Sequence, residues 1–240
     1  MKKRLQNVLA HAGIASRRRA AQLIENGKVK VDGKVVTEKG HRIDPEEHKI
    51  LIDGRPLPKE EKKYYFLFNK PENVISTVSD THDRKKVTDY FKKIKARLYP
   101  VGRLDKDTTG LLVVTNDGTL THRLAHPSFE IEKEYRVTIT GYLSQKDSKR
   151  LERGIDLEGK KTAPCIIRRV KRTVKGDVLK IVLHEGRKRQ IRLMLEEVGA
   201  KVTALERTRY ANLTLGCLKP GEYRELTQKE VEKLFNVGQV

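Results

Sequence analysis

The order of strand and helix patterns after residue 60 limits the fold more than any other feature of the chain. Residues 65–68, Lys133–Thr140, 178–183 and 202–205 are rich in apolar, aromatic and β-branched side chains, which indicates strands. Helical patterns lie between them at irregular intervals, over 87–94 and from Ser144 onward, instead of following every strand. A regular alternation would predict a parallel sheet, so this order favours a mixed sheet of the α+β class.

The residues before position 60 form a different pattern, typical of a small α/β module. Apolar residues at helical spacing predict two short helices, the first ended by Gly13 and the second capped by Ser16 and ended by Gly27. Asp-Gly pairs at 32–33 and 53–54 predict two β-hairpins. Two tight helices followed by hairpins predict an independent unit with its own core.

A stretch rich in Pro, Lys and Glu separates the two patterns and indicates a linker at 59–63. We therefore expect a boundary near residue 60, with one domain over 1–60 and a second over 61–240. Because the linker is short and charged, the sequence leaves the orientation of the first domain open.

The charge balance points to a polyanionic partner. The 240 residues include 52 Lys and Arg against 32 Asp and Glu, a formal net charge of +20. No apolar run is long enough to span a membrane, so we expect a cytoplasmic protein without a membrane partner. Cys165 and Cys217 lie far apart without ligand spacing, which argues against both a disulfide framework and a zinc cluster.

Cations are concentrated at the start of the second predicted helix. Arg17, Arg18 and Arg19 follow its cap directly, and Arg4 lies on the same short module. Like charges oppose the helix dipole at this end, so a purely structural role explains them poorly. We predict an RNA-binding face here, although a solvated helix face is the alternative.

The most informative stretch is the polar loop that directly precedes the apolar strand pattern at 111–114. It places Asp105 on a short connection between Arg103 and Lys106, where the following strand would hold its carboxylate rigidly. The residues alone leave two interpretations open: a functional carboxylate, or an Asx turn in which Asp105 and Asp107 bond local backbone amides.

Longer motifs in this region resemble those of a known enzyme family. GRLDKDTTGLLVVTNDG at 102–118, KEY at 133–135 and HEGRKRQIRLMLEEVG at 184–199 occur in the order seen in ribosomal RNA pseudouridine synthases of the RsuA/RluB type. With LKPGEYREL at 218–226, the resemblance covers nearly the whole chain and is greatest to the RluB type, which acts on large-subunit rRNA. Residues 4–36 resemble the small RNA-binding domain named after ribosomal protein S-four.

The resemblance implies a mixed-sheet pseudouridine synthase domain that follows an S-four-type domain. It also implies a bacterial enzyme that isomerises a flipped-out uridine of rRNA to pseudouridine, and 23S rRNA is the expected substrate. It implies Asp105 as the nucleophile, Tyr135 as the residue that stacks on the base, and Arg192 as the partner of the nucleophile. Attack at C1′ and attack at C6 both remain open. The residues expected to contact RNA are Arg4, Arg17, Arg18, Arg19, Lys28, Arg103, Arg187, Lys188 and Arg189. No cofactor is expected, and a monomer bound to rRNA or to a ribosome-assembly intermediate is the expected state.

Some positions depart from the family pattern, and two other functions stay open. Asn73 and Ala211-Asn212 stand where Gly and Gly-Pro are usual, and Lys188 and Leu193 replace a usual Asn and Arg. A non-catalytic RNA-binding assembly factor could keep the same fold. A metal-dependent nuclease would instead use Asp105 with Asp107, which requires a carboxylate cluster around Mg²⁺.

Overall fold

A computed structural model describes residues 2–58 and 61–237 and divides them into two compact units. The first unit holds the described residues up to Tyr64 together with Lys95–Arg97 and Asn116–Gly118. The second holds the remainder of the described chain. The boundary predicted near residue 60 falls on Lys59 and Glu60, which lie outside the described residues.

The first unit contains the predicted helices and hairpins. Ser16 accepts a hydrogen bond from the Arg19 amide at 3.1 Å, as expected for the helix cap, and Gly27 has a φ of 69° just after that helix. Leu5, Leu9 and other apolar side chains pack into a small core with the hairpin residues. Its elements are β1 (Lys3–Arg4), α1 (Leu5–His11), α2 (Arg17–Glu25), β2 (Val29–Val31), β3 (Lys34–Val35), β4 (Arg42–Ile43), β5 (Ile50–Ile52) and β6 (Arg55–Pro56).

The second unit is built from one large sheet with short helices. Its strands are β7 (Tyr65–Lys70), β8 (Tyr99–Pro100), β9 (Thr109–Thr115), β10 (Lys133–Thr140), β11 (Asp156–Leu157), β12 (Lys160–Lys161), β13 (Ile166–Thr173), β14 (Gly176–Leu183), β15 (Lys201–Tyr210), β16 (Leu213–Thr214) and β17 (Tyr223–Glu225). Its helices are α3 (Gly118–Ala125), α4 (Gln145–Glu152), α5 (Gln190–Glu196) and α6 (Gln228–Asn236), with 3₁₀ turns at Val87–Phe91 and Pro127–Phe129.

The sheet has nine strands in the order β13-β14-β10-β15-β9-β7-β17, with β8 beside β9 and β16 beside β15. It is mixed, because β15 runs parallel to β9 while its other strand pairs are antiparallel. The predicted mixed sheet of the α+β class is therefore confirmed. The parallel pair brings the start of β9, which follows the Asp105 loop, beside the middle of β15.

Two elements differ from the sequence prediction in extent. The helical pattern over 87–94 forms only a 3₁₀ turn at Val87–Phe91. The strand predicted at 202–205 continues through polar residues to Tyr210, because its partners β10 and β9 supply backbone hydrogen bonds along this length.

Asn73 and Ala211 adopt left-handed backbone conformations, with φ of 64° and 52°. Both positions are among those where the family pattern has glycine. Asn tolerates this region, whereas Ala carries a steric cost there. In the described part of the chain, no helix is both long enough and apolar enough to cross a membrane.

Candidate active site

The loop between β8 and β9 holds Asp105 at the edge of two adjoining cavities. Ser76 fixes the residue before it, since its hydroxyl donates to the Leu104 carbonyl at 2.9 Å and accepts from the Leu104 amide at 3.1 Å. The Asn73 amide donates to the Lys106 carbonyl at 2.9 Å on the other side. Within the described residues the Asp105 carboxylate itself makes no ion pair or hydrogen bond and is partly exposed. The loop is therefore held by its backbone, with the Asp105 carboxylate free.

Lys70 anchors the same loop from inside the protein. Its side chain is fully buried at the end of β7, and its ammonium donates to the carbonyls of Thr108 at 2.7 Å, Pro71 at 3.0 Å and Lys106 at 3.4 Å. Burial lowers the pKa of Lys70 from 10.5 to about 8, and the carboxylates of Asp107 and Asp105 only partly oppose this shift. A buried cation thus lies directly beneath the loop that presents Asp105.

The cavity beside Asp105 has the size and lining of a pocket for one planar base. Its volume is about 250 Å³. Tyr135, Leu183, Ile191 and Leu205 supply an aromatic and apolar wall, while Asp105 and Thr108 supply polar atoms. Thr108 Oγ1 is buried and has no hydrogen-bond partner among the described residues. A ligand with one apolar face and polar edges would satisfy this lining.

Tyr135 lies in the middle of the sheet and is 9% exposed. On β10 it faces Ile181 of β14 and Arg207 of β15. Arg207 is 2% exposed and donates from Nε to the Leu111 carbonyl at 2.7 Å. Three neighbouring strands thus fix the position of the Tyr135 ring in the cavity wall.

Arg192 pairs with Asp107, whereas the resemblance predicted a pair with Asp105. Its Nη2 lies 2.9 Å from Asp107 Oδ2 and also donates to the Asp107 carbonyl at 3.1 Å. Arg189 Nη1 is a second cation, 3.8 Å from the same carboxylate oxygen. Arg192 Nη2 is thus bound by Asp107, Arg192 Nε is buried without a partner among the described residues, and Asp105 lines the cavity. Arg192 therefore fixes the loop two residues beyond Asp105.

Basic residues form the rim of the cavity. Arg103, Lys188 and Arg189 are exposed and line it, without an acidic partner for Arg103 or Lys188 among the described residues. Arg187 is engaged differently: its guanidinium donates to the Lys160 carbonyl at 2.6 Å, to the Lys161 carbonyl, and to Glu185 at 3.2 Å. Arg187 thus ties β12 to the cavity rim.

The cations predicted on the first unit are all exposed. Arg17, Arg18 and Arg19 occupy the first turn of α2, and Arg4 lies just before α1. Lys28 is paired with Asp53, with Nζ 3.5 Å from Oδ1. In the described residues no group of three or more His, Cys, Asp or Glu side chains is arranged to hold a metal ion, and Asp107 is paired with Arg192.

Sequence reasoning missed Lys70 and Asp107 as parts of this site. Lys70 is the only charged residue of the strand YFLFNK at 65–70 and directly precedes Pro71, which is a signal that could have identified it. The sequence pattern indicated Asp107 only as part of an Asx turn or of a metal site. Its pairing with Arg192 joins residues 85 positions apart, which no local pattern reveals.

Comparisons with known proteins match both units of the chain. The family model described as RNA pseudouridylate synthase matches residues 64–197, and the S4 domain model matches residues 3–56. The ribosomal large subunit pseudouridine synthase B of Bacillus subtilis is 47% identical over 96% of this chain and 95% of its own length. An uncharacterized RNA pseudouridine synthase of Aquifex aeolicus is 41% identical over 98% of this chain and 94% of its own length.

Among solved structures, a crystal structure of a pseudouridylate synthase superposes with a TM-score of 0.68 at 31% identity, covering 96% of this chain and 99% of that one. The similarity extends over both units and includes the loop, the cavity and the strands described above. The chain therefore belongs to the RNA pseudouridine synthase family, with an S4 domain preceding the synthase domain.

Proposed function

We propose that this enzyme converts one uridine of large-subunit ribosomal RNA to pseudouridine, with Asp105 as the nucleophile. The observation that supports this most directly is the unpaired Asp105 carboxylate beside a base-sized cavity, on a loop held through its backbone by Ser76 and Lys70. The relative from Bacillus subtilis that acts on the large subunit supports this choice of substrate. We further propose a monomer that acts in the cytoplasm on rRNA or an assembly intermediate.

The reaction is an isomerisation, so its atoms balance without a second substrate. The N1–C1′ bond of the uridine breaks, the base turns, and a C5–C1′ bond forms. The hydrogen on C5 leaves as a proton, and N1 takes up a proton in its place. The Asp105 carboxylate forms a covalent bond to the substrate during this exchange and is released at the end. The uridine must leave its helix to enter the cavity, which costs least in a loop or bulge.

Each of the other site residues has a proposed role. Tyr135 stacks on the base, because its ring forms the aromatic wall of the cavity. Thr108 Oγ1 is buried without a partner and is available to hydrogen-bond a polar edge of the base. Arg192 is a positioning residue that acts through Asp107, since it holds the loop rather than the nucleophile.

The predicted RNA contacts divide into two groups. We propose that Arg103, Lys188 and Arg189 bind phosphates beside the target nucleotide. The second group, on the S4 domain, binds folded RNA through Arg4, Arg17, Arg18, Arg19 and Lys28. Arg187 assists by holding β12 at the rim, because its guanidinium is already occupied by backbone carbonyls.

The test is tritium release from 23S rRNA containing uridine labelled at C5, with EDTA present. Wild type should release tritium, while Asp105→Asn should release none and still bind RNA. Glu196→Gln removes one carboxylate from an exposed position of α5 and is the matched control, with release equal to wild type. If wild type released no tritium from either 23S or 16S rRNA while it still bound RNA, the proposal would be refuted and a non-catalytic binding factor favoured. Loss of release on adding EDTA would favour a metal-dependent enzyme.

A further inference from the structure

The hairpin formed by β13 and β14 lies at the edge of the large sheet and has a strongly basic outer strand. Residues 159–176 contain seven Lys and Arg and no Asp or Glu. Among the described residues, β13 has a sheet partner on one side only, namely β14. The tip of the hairpin extends into solvent, since the side chain of Val174 is 98% exposed. The hairpin belongs to the second unit, and residues 166–176 do not line the cavity beside Asp105.

Cations project from both faces of β13. Arg168 lies opposite Lys180 and Lys171 opposite Val178, which places Arg168 and Lys171 on one face. Arg169 and Arg172 lie on the other face, opposite Leu179 and Asp177. The edge of the sheet is thus basic on both sides along most of the strand.

Three of these cations have no acidic partner among the described residues: Arg168, Lys171 and Lys175 are all exposed and unpaired. Lys180, which faces Arg168 across the strand pair, is itself paired with Glu134, with Nζ 3.1 Å from Oε2. Charged side chains also protect an edge strand from aggregation. Three exposed cations without acidic partners in this part of the structure are in addition suited to an anionic ligand.

Buried contacts hold the hairpin in one conformation. Asp177 is fully buried and accepts hydrogen bonds from Arg169 Nε at 2.9 Å, Arg172 Nε at 3.0 Å and the Leu143 amide at 3.1 Å. The Tyr142 hydroxyl donates to the Val174 carbonyl at the tip at 3.1 Å. The cations are therefore presented on a rigid support, which lowers the entropic cost of binding a ligand.

The hairpin begins two strands away from Tyr135. Tyr135 lies opposite Ile181, which in turn lies opposite Ile167 of β13, so this face of the sheet is the one that carries Arg169 and Arg172. Arg168 and Lys171 project from the opposite face at the free edge of the strand. From Ile181 to Lys175 the chain runs six residues, or about 20 Å at roughly 3.3 Å per residue. A nucleic-acid helix that continues from a base in the cavity would therefore meet these cations at the free edge of β13, where it presents regularly spaced phosphates.

We propose that the β13–β14 edge binds the phosphate backbone of an RNA stem that adjoins the target loop, through Arg168, Lys171 and Lys175. This inference rests on the proposed function, because it takes its ligand from the same RNA. It adds a third contact surface that is indifferent to sequence and places the stem rather than the base.

The test measures how RNA affinity depends on salt. All variants are made on Asp105→Asn, so that the RNA is not converted, and a fluorescent stem-loop from 23S rRNA that wild type modifies is titrated at several KCl concentrations. The variant R168Q/K171Q/K175Q should lower the slope of log Kd against log salt by about 2 to 3, and weaken binding roughly tenfold or more at about 0.1 M salt.

Two controls make this result specific. K146Q/K149Q/R150Q removes the same charge from exposed positions of α4, where acidic residues alternate with the cations, and should bind like the parent protein. R168K/K171R/K175R keeps the charge and should keep the slope. An unchanged slope and Kd for R168Q/K171Q/K175Q would overturn the inference. So would aggregation of this variant with a parental slope in its soluble fraction, since the cations would then only protect the sheet edge.

Failure of the inference is distinguishable from failure of the proposed function. Tritium release by wild type with no effect at the hairpin would remove only the third contact surface. Absence of release by wild type on either rRNA would remove the proposed function, and with it the basis for choosing this stem-loop.

Discussion

Replacing Lys70 with methionine should uncouple the Asp105 loop from the sheet and show a distinctive pH dependence. Lys70 is fully buried, and its ammonium donates to three backbone carbonyls around the loop. Methionine fills much of the same space but leaves those carbonyls without a charged donor, and hydrogen bonds to charged groups contribute about 1.5–3 kcal/mol each. Since Lys70→Met also removes the cost of burying the ammonium, we expect a net loss of about 1–3 kcal/mol of unfolding free energy at pH 7.

The pH dependence follows from the lowered pKa of Lys70. A pKa of about 8 in the folded protein, against 10.5 ordinarily, corresponds to about 3 kcal/mol. The cost of burying the charge is fully present below pH 8 and is relieved as the pH rises towards 10.5, because the unfolded state then binds more protons than the folded state. The stability of wild type relative to Lys70→Met should therefore increase by about 3 kcal/mol across this window.

Urea unfolding at several pH values between 7 and 10.5 measures this difference, and Lys93→Met, at an exposed position, is the matched control. A gap between wild type and Lys70→Met that stays flat or narrows above pH 8 would refute the role assigned to burial. Tritium release at pH 7 should fall roughly 100-fold in Lys70→Met, because a small displacement of the nucleophile is costly. Full activity would show that the loop keeps its position without the buried cation.

Four further changes give defined expectations. Asp107→Asn removes the ionic anchor of Arg192, so single-turnover tritium release should fall roughly tenfold or more while the Kd for RNA is unchanged; an equal loss of binding would contradict a positioning role. Gly110→Ala would place a Cβ 2.4 Å from the Arg207 carbonyl oxygen at a φ of 101°, and urea unfolding should show a loss of about 3 kcal/mol or more. Ala211→Gly should raise the unfolding free energy by about 1 kcal/mol, because it relieves the left-handed conformation. Burial opposes ionisation of Asp177, but hydrogen bonds from Arg172, the Leu143 amide and Arg169 outweigh it and lower its pKa below 3.8. Asp177→Asn should therefore cost about 2 kcal/mol in urea unfolding at pH 7, and progressively less as the pH falls below 3.8.

Local features of the chain were predictable because their determinants lie within a few residues of one another. Ser16 and Ser144 cap helices through amides three residues later, as their spacing indicates. The Asp-Gly pair at 32–33 turns a hairpin with φ of 48° and 82°, which these residue types favour. The mixed sheet followed from the irregular order of elements, and the S4 and synthase domains followed from extended motifs.

The arrangement of the site depended on contacts between distant segments, which local patterns do not encode. Arg192 was expected at Asp105, but in the structure its Nη2 contacts both the carboxylate and the backbone carbonyl of Asp107. Lys70 is the one charged residue of the strand at 65–70, and only the close approach of β7 to the Asp105 loop makes it an anchor. The sequence by itself determined the caps and the turns, since these depend on neighbouring residues, and its motifs predict Asp105 and Tyr135 as functional groups. Tertiary structure decided which charges meet, because pairing across 85 residues is set by the packing of β7, β9, β15 and α5 around one loop.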